Sequence, residues 1–87
     1  MIVIISLSQK EFLVDMALQG KNELIDEIER GSVVCGKWHV DVVNDLADEI
    51  RDSCAEMLQL IGFDEDYKLT RQGKQLEALI DIFYVLE

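Results

Sequence analysis

A chain of 87 residues and 10.0 kDa, with 18 acidic and 8 basic side chains and a formal charge of −10, has room for one domain with a small core. Its 49% hydrophobic content excludes an acidic disordered tail, and five glycines with no proline exclude collagen-like and low-complexity classes. A pI near 4.3 sets the chain against direct nucleic-acid binding and against anionic membrane surfaces, because both reward Lys and Arg; a basic protein partner fits the charge better.

The N-terminal run Met1–Leu7 is apolar but has no basic flank, and it is too short for a secretory signal. No window approaches the roughly 20 apolar residues of a membrane-spanning helix. The expectation is a soluble, cytoplasmic protein in which Cys35 and Cys54 stay reduced and do not form a disulfide framework.

In chain order, the first seven residues read either as one edge strand or as an extended lead-in to a helix, since periodicity alone does not separate the two. Ser32–Cys35 is the one candidate for a second strand, and it is short. Ser8-Gln9-Lys10-Glu11 has the form of a capping box, in which hydroxyl and carboxylate satisfy each other's backbone N–H groups. Phe12, Leu13, Met16 and Ala17 then share a helical face; after Gly20 the stripe resumes with Leu24, Ile25 and Ile28 and closes at Gly31. One kinked helix and two short ones are both open here, because an interior Gly costs about 1 kcal/mol against Ala.

From about Trp38 to Ile61, Val43, Leu46, Ala47, Ile50, Cys54, Met57, Leu58 and Ile61 recur at steps of three and four. That spacing predicts an amphipathic helix, with Gly62 as the left-handed residue that stops it. A last helix follows Thr70 as N-cap, with Leu76, Leu79, Ile80 and Phe83 buried and with Val85 and Leu86 extending its apolar side. The expected architecture is mainly all-α: one domain over residues 1–87, a compact bundle of three to four helices with at most one short N-terminal strand.

The charge is not spread evenly. Between Asp41 and Asp66 nine acids (Asp41, Asp45, Asp48, Glu49, Asp52, Glu56, Asp64, Glu65, Asp66) stand against one base, Arg51, so 26 residues carry −8 and the other 61 carry −2. On a helix, Asp41, Asp45, Asp48 and Asp52 form one stripe, with Glu49 and Glu56 as a flanking row. Like charges at i and i+4 cost a few tenths of a kcal/mol per pair. A stripe of this kind serves solubility or docks a basic partner, and its concentration on one element favours docking. Trp38 and Tyr67 are the aromatic residues placed to anchor such an interface.

Other chemistry finds little footing. A calcium loop starting at Asp64 would need an oxygen ligand, Gly and Glu where the chain has Lys68, Leu69 and Gln75. Cys35 and His39 are close in sequence, but one His and no C-x-x-C do not make a zinc site, and no Gly-rich oxyanion loop accompanies them. The expectation is therefore no enzyme, no metal and no cofactor.

The segment Ile61-Gly62-Phe63-Asp64-Glu65-Asp66-Tyr67-Lys68-Leu69-Thr70 and its continuation through Arg71, Gly73, Leu76, Glu77, Leu79 and Asp81 resembles the C-terminal stretch of small acidic immunity proteins. These belong to bacterial contact-dependent growth inhibition and related polymorphic-toxin systems. The resemblance covers about a quarter of the chain. It implies an antitoxin that binds and neutralises a basic toxin domain from the same locus, often a nuclease, and it carries over no individual contact residue. The length and acidity are also similar to those of the nuclease-colicin immunity proteins, although their Tyr-Tyr-Pro element is missing. The partner-binding residues expected are Asp41, Asp45, Asp48, Glu49, Asp52, Glu56, Asp64, Asp66, Trp38 and Tyr67. The alternative is a DNA mimic or regulator that targets a basic protein, in which two regular acidic rows imitate phosphates.

Overall fold

A three-stranded antiparallel sheet, rather than a helical bundle, organises the first half of the chain. The computed structural model describes residues 1–84. Strand β1 (Ile2–Ser6) pairs with β3 (Lys37–Asp41) in the register Ile2↔Asp41 to Ser6↔Lys37. Strand β2 (Ser32–Val34) pairs with the other side of β3, Ser32↔His39 to Val34↔Lys37, giving the order β1-β3-β2. The expectation of a mainly all-α bundle is thus corrected to a mixed α/β fold.

The physical reason lies at residues 35–42. Cys35 and Gly36 both take positive φ, 52° and 77°, the left-handed pair of a tight hairpin turn whose twist matches the strands it joins. After that turn, Trp38, Val40 and Val42 face inward and alternate with exposed Lys37 and Asp41. A period of two over these residues is a strand pattern, and it ends the helix expected to begin at Trp38.

The helices lie on one side of the sheet. Helix α1 (Leu7–Phe12) leaves β1 without a loop, and its capping box sits two residues earlier than the sequence suggests. Ser6 Oγ accepts from the Gln9 N–H (3.0 Å) and Gln9 Oε1 accepts from the Ser6 N–H (2.9 Å). The last strand residue is therefore also the N-cap, and Ser8 falls inside the helix. The helix widens into a single π-helical turn, Leu13–Ala17, closed by the Leu18 N–H on the Leu13 carbonyl. Gly20, at φ +82°, then reverses the chain, so α1 and α2 (Asn22–Glu29) are two helices and not one kinked helix.

Helix α3 runs from Asn44 to Ile61 and α4 from Arg71 to Ile82. Gly62 closes α3 at φ −77°, so it is right-handed and not the left-handed stop expected. Its use is steric: Thr70 donates its hydroxyl to the Ile61 carbonyl (2.9 Å) and its N–H to the Gly62 carbonyl (2.7 Å). Thr70 Oγ1 also accepts from the Gly73 N–H (3.0 Å), as the N-cap of α4. A Cβ at Gly73 would overlap the Gly62 carbonyl and lie 2.9 Å from its Cα, so Gly73 lets the start of α4 meet the end of α3, whereas a Cβ at Gly62 would overlap the Leu58 carbonyl one turn earlier in α3.

The core joins Val3, Ile5 and Val40 of the sheet to Leu13, Leu18, Leu24 and Ile28 of the first helices and to Ala47, Ile50, Cys54, Leu76, Leu79 and Phe83 of α3 and α4. Val85 and Leu86, added to the last helix by the sequence pattern, lie outside the described residues. Among the described residues no helix is long and apolar enough to cross a membrane.

The two faces of β1 should respond differently to truncation. Ile5→Ala, at 2% exposure, is expected to lower the unfolding free energy by about 2–4 kcal/mol in urea titrations. Ile4→Thr, at 51% exposure, is expected to change it by less than about 1 kcal/mol.

Candidate functional site

The acidic face is built by α3. Its inward residues Ala47, Ile50, Ser53 and Cys54 fix its rotation, and this turns Asp45, Glu49, Asp52 and Glu56 out to solvent at steps of four, three and four. At 1.5 Å per residue the row is about 16 Å long. This row differs from the stripe read from the sequence. Asp41 is not on the helix: it ends β3, opposite Ile2, with its carboxylate 3.4 Å from the Met1 amino group. Asp48 is half-buried on the helix flank, 3.1 Å from the guanidinium of Arg51. Val42 and Val43 separate the strand from α3, so no single helical phase joins Asp41 to Asp45.

Of the row, Glu56 has a cation beside it: Lys21 Nζ donates to Ser53 Oγ (2.7 Å) and reaches Glu56 at 3.4 Å. Among the described residues, Asp45, Glu49 and Asp52 have no ion-pair partner. Lys21 spans an open groove of about 390 Å³ between the start of α2 and α3, lined by Gly20, Lys21, Asn22, Glu23, Leu24 and Glu49. A neighbouring depression of about 250 Å³ continues it past Asp52 and Ser53. Its lining is mixed: apolar Leu24, the Lys21 ammonium, and the carboxylates of Glu23 and Glu49.

At the C-terminal end of α3 the loop Phe63–Leu69 closes on itself through a Phe63↔Leu69 bridge. Asp64 holds the loop: its Oδ1 accepts from the N–H groups of Asp66 and Lys68, each at 2.9 Å. Asp64 is therefore a loop-forming residue as well as a surface acid, while Glu65 and Asp66 are exposed. Tyr67 takes φ +60° and is 87% exposed. A left-handed conformation costs a non-Gly residue about 1 kcal/mol or more. With Leu60 (77% exposed) and half-exposed Phe63, it places apolar side chains beside the acids.

Trp38 is placed elsewhere. It is half-buried on β3, its Nε1 donates to the Ile28 carbonyl (2.9 Å), and the Lys10 ammonium lies 4.7 Å from its ring centre. A Cβ at Gly31 would overlap the His39 carbonyl and come within 2.8 Å of the indole nitrogen, so the end of α2 is seated on this ring. The structure thus brings Asp45, Glu49, Asp52 and Glu56 together on α3, with the Asp64–Tyr67 loop following that helix, and separates Asp41 and Trp38 from them. The sequence pattern does not single out Lys21, Leu60 or Phe63 as members of this surface; the exposed Leu60 does break the inward period of α3, which is the signal that marks it.

Among the described residues, no three His, Cys, Asp or Glu side chains gather to hold a metal, and every buried side-chain nitrogen and oxygen has a hydrogen-bond partner. Cys35 is exposed at the hairpin turn and Cys54 is buried. Burial pushes the Cys54 thiol up from 9.0 to about 12, opposed in part by the charge of Lys21.

No protein-family model, curated protein or solved structure matches the chain.

Because the native state keeps the Cys54 proton up to about pH 12 while the unfolded chain releases it near 9.0, the native state binds more protons between those values. Stability is therefore expected to fall as pH rises above about 9, with no contribution from this thiol below that. Urea titrations at pH 8 and pH 10 should show a steeper loss for the wild type than for Cys54→Ala, in which only the remaining groups titrate.

Proposed function

We propose that the protein is an immunity protein: an antitoxin that binds and neutralises a cognate basic toxin domain through the exposed face of α3 and the loop after it. The observation that carries this reading is the row Asp45, Glu49, Asp52 and Glu56, of which three acids have no cation beside them among the described residues. An uncompensated like-charge row disfavours the helix that bears it, so its presence on the best-formed helix is better accounted for by a partner that supplies the missing cations. A nuclease domain must be basic to hold its substrate, and an acidic surface about 16 Å long can cover that basic surface.

Leu60, Phe63 and Tyr67 add the apolar contact that charge alone lacks, and buried aromatic residues carry much of the energy of protein interfaces. The resemblance of residues 61–81 to immunity proteins of polymorphic-toxin systems supports the same reading, as does the net charge of −10. A phosphate mimic would present two regular rows. With Asp41 on β3 and Asp48 held by Arg51, α3 presents one, so the mixed acidic and aromatic interface is the better supported reading.

The test begins with the gene's surroundings, where a large gene with a basic C-terminal domain is expected immediately upstream. Expression of that domain is expected to arrest growth, and co-expression of this protein to restore it. The triple variant Asp45→Lys, Glu49→Lys, Asp52→Lys is expected to keep its far-UV helicity, to bind the domain at least about 100-fold more weakly, and to fail to restore growth. Tyr67→Gly should weaken binding without loss of stability, whereas Trp38→Phe should lower stability by about 1–2 kcal/mol through the orphaned Ile28 carbonyl and leave affinity unchanged. Undiminished affinity of the triple variant would refute the reading.

A further inference from the structure

The sheet has a second face, and α3 plays no part in it. Residues directly opposite across an antiparallel ladder share a face, so the register defines three transverse rows on the outside: Ile2 with Asp41; Ile4 with His39 and Ser32; Ser6 with Lys37 and Val34. No described helix covers them. Ile2 is 71% exposed, Ile4 51% and Val34 44%. Strand β1 is thus apolar on both sides, Val3 and Ile5 inward and Ile2 and Ile4 outward, which is the pattern of a strand covered on both faces.

The charges on this face are arranged about its centre. On β3, Lys37 lies two residues before His39 and Asp41 two residues after it. A two-fold axis lying between two such faces, perpendicular to the strands and along the row Ile4–His39–Ser32, sets Lys37 of each copy against Asp41 of the other. The same axis sets Ile4 against Ile4 and Ile2 against Ser6. Lys37 and Asp41 thus make the face its own complement, as an isologous contact requires, with the Met1 amino group also 3.4 Å from Asp41. Two chains of charge −10 repel through α3, and a face without net negative charge is where they can approach. A basic partner, in contrast, is drawn to the acidic row and gains no charge advantage here.

We infer that the outer face of the β1-β3-β2 sheet is a homodimerisation surface, on which a second copy packs face to face with Lys37–Asp41 pairs across the two-fold, His39 at its centre and Ile4 against Ile4 on the β1 side. This goes beyond the proposed function and does not rest on it. Two strands of five residues and one of three, about 4.8 Å apart, make a smaller face than the roughly 800 Å² per partner of a standard interface. A face of this size belongs with weak, transient contacts.

Sedimentation equilibrium of the full chain from about 10 µM to 1 mM tests this, with folding of every variant checked by circular dichroism. The mass is expected to rise from 10.0 kDa toward twice that value with concentration. Lys37→Asp or Asp41→Lys alone should raise the dissociation constant about tenfold or more, because each replaces two attractive pairs with two repulsive ones. The double variant Lys37→Asp, Asp41→Lys restores the complement and should return to within about threefold of wild type. In a Cys35→Ser background, His39→Cys should form a disulfide-linked dimer on mild oxidation, since the two-fold brings residue 39 of the copies together. A wild type that stays at 10.0 kDa throughout, a double variant as weak as the singles, or no cross-link at position 39 would each overturn the inference. So would a chemical-shift change of the Ile4 methyl groups that appears only on adding the basic toxin domain, which would make that domain the occupant.

Discussion

The pairing of Ile2–Ser6 with Lys37–Asp41 is the constraint on which the rest of the molecule depends. It joins residues up to 39 positions apart in sequence and presents Val3, Ile5 and Val40 as one inward surface on which the helices close. Its two ends also set where α1 and α3 begin. Ser6, the last paired residue, is the N-cap of α1, so strand and helix meet without slack. Asp41, at the other end, precedes buried Val42, whose N–H donates to the Met1 carbonyl (2.8 Å) and extends the ladder by one step. Helix α3 can begin only after that, at Asn44. A slip of one residue in this register would turn Ile2 and Ile4 inward and Val3 and Ile5 to solvent.

The start of α3 in turn decides which acids form a surface. Ile50 and Cys54 are fully buried against Leu76 and Leu79 of α4, and this fixes the rotation that exposes Asp45, Glu49, Asp52 and Glu56. The same packing brings Arg51 onto the flank, 3.1 Å from Asp48 and 5.4 Å from the Tyr84 ring, where it serves the fold rather than neutralising the row. Stability and charge therefore divide along one helix: its inner side is held by apolar contact, and its outer side carries repulsion that nothing in the fold requires. Under the proposed function, that division leaves the outer side free for a partner that supplies the cations.

The second half of the chain was legible in the sequence because its signals are local and repeated. The three-and-four spacing from Leu46 to Ile61 and Thr70 before a polar first turn are read without knowing what packs on them. The sheet was not, because strands are short and their pairing is non-local. Val40 and Val42 flank a single charged residue, Asp41, and Val43 then breaks the alternation, so the pattern is too short to outweigh a strong helical period beginning beside it, and Cys35 is an unusual residue for a left-handed turn position that favours Asn, Asp or Gly. The acidic site was legible as composition and only partly as geometry. Which acids share the exposed row, Asp45, Glu49, Asp52 and Glu56, depends on where the helix begins and how it is rotated, and both are tertiary facts. Trp38 read as an anchor because lone aromatics often are, while its partner, the Ile28 carbonyl, lies ten residues away.

The central claim is that the acidic row is kept for a partner and against the interest of the fold. Glu49→Gln combined with Asp52→Asn removes two charges that face like neighbours at i±4 and have no cation among the described residues, leaving Asp45 at the helix N-terminus and Glu56 beside Lys21. Urea unfolding of this variant at low ionic strength measures the claim without any partner present. The account predicts a gain in unfolding free energy of about 0.5–1 kcal/mol that shrinks as salt is added. A loss of stability would contradict it, because the row would then belong to the fold itself.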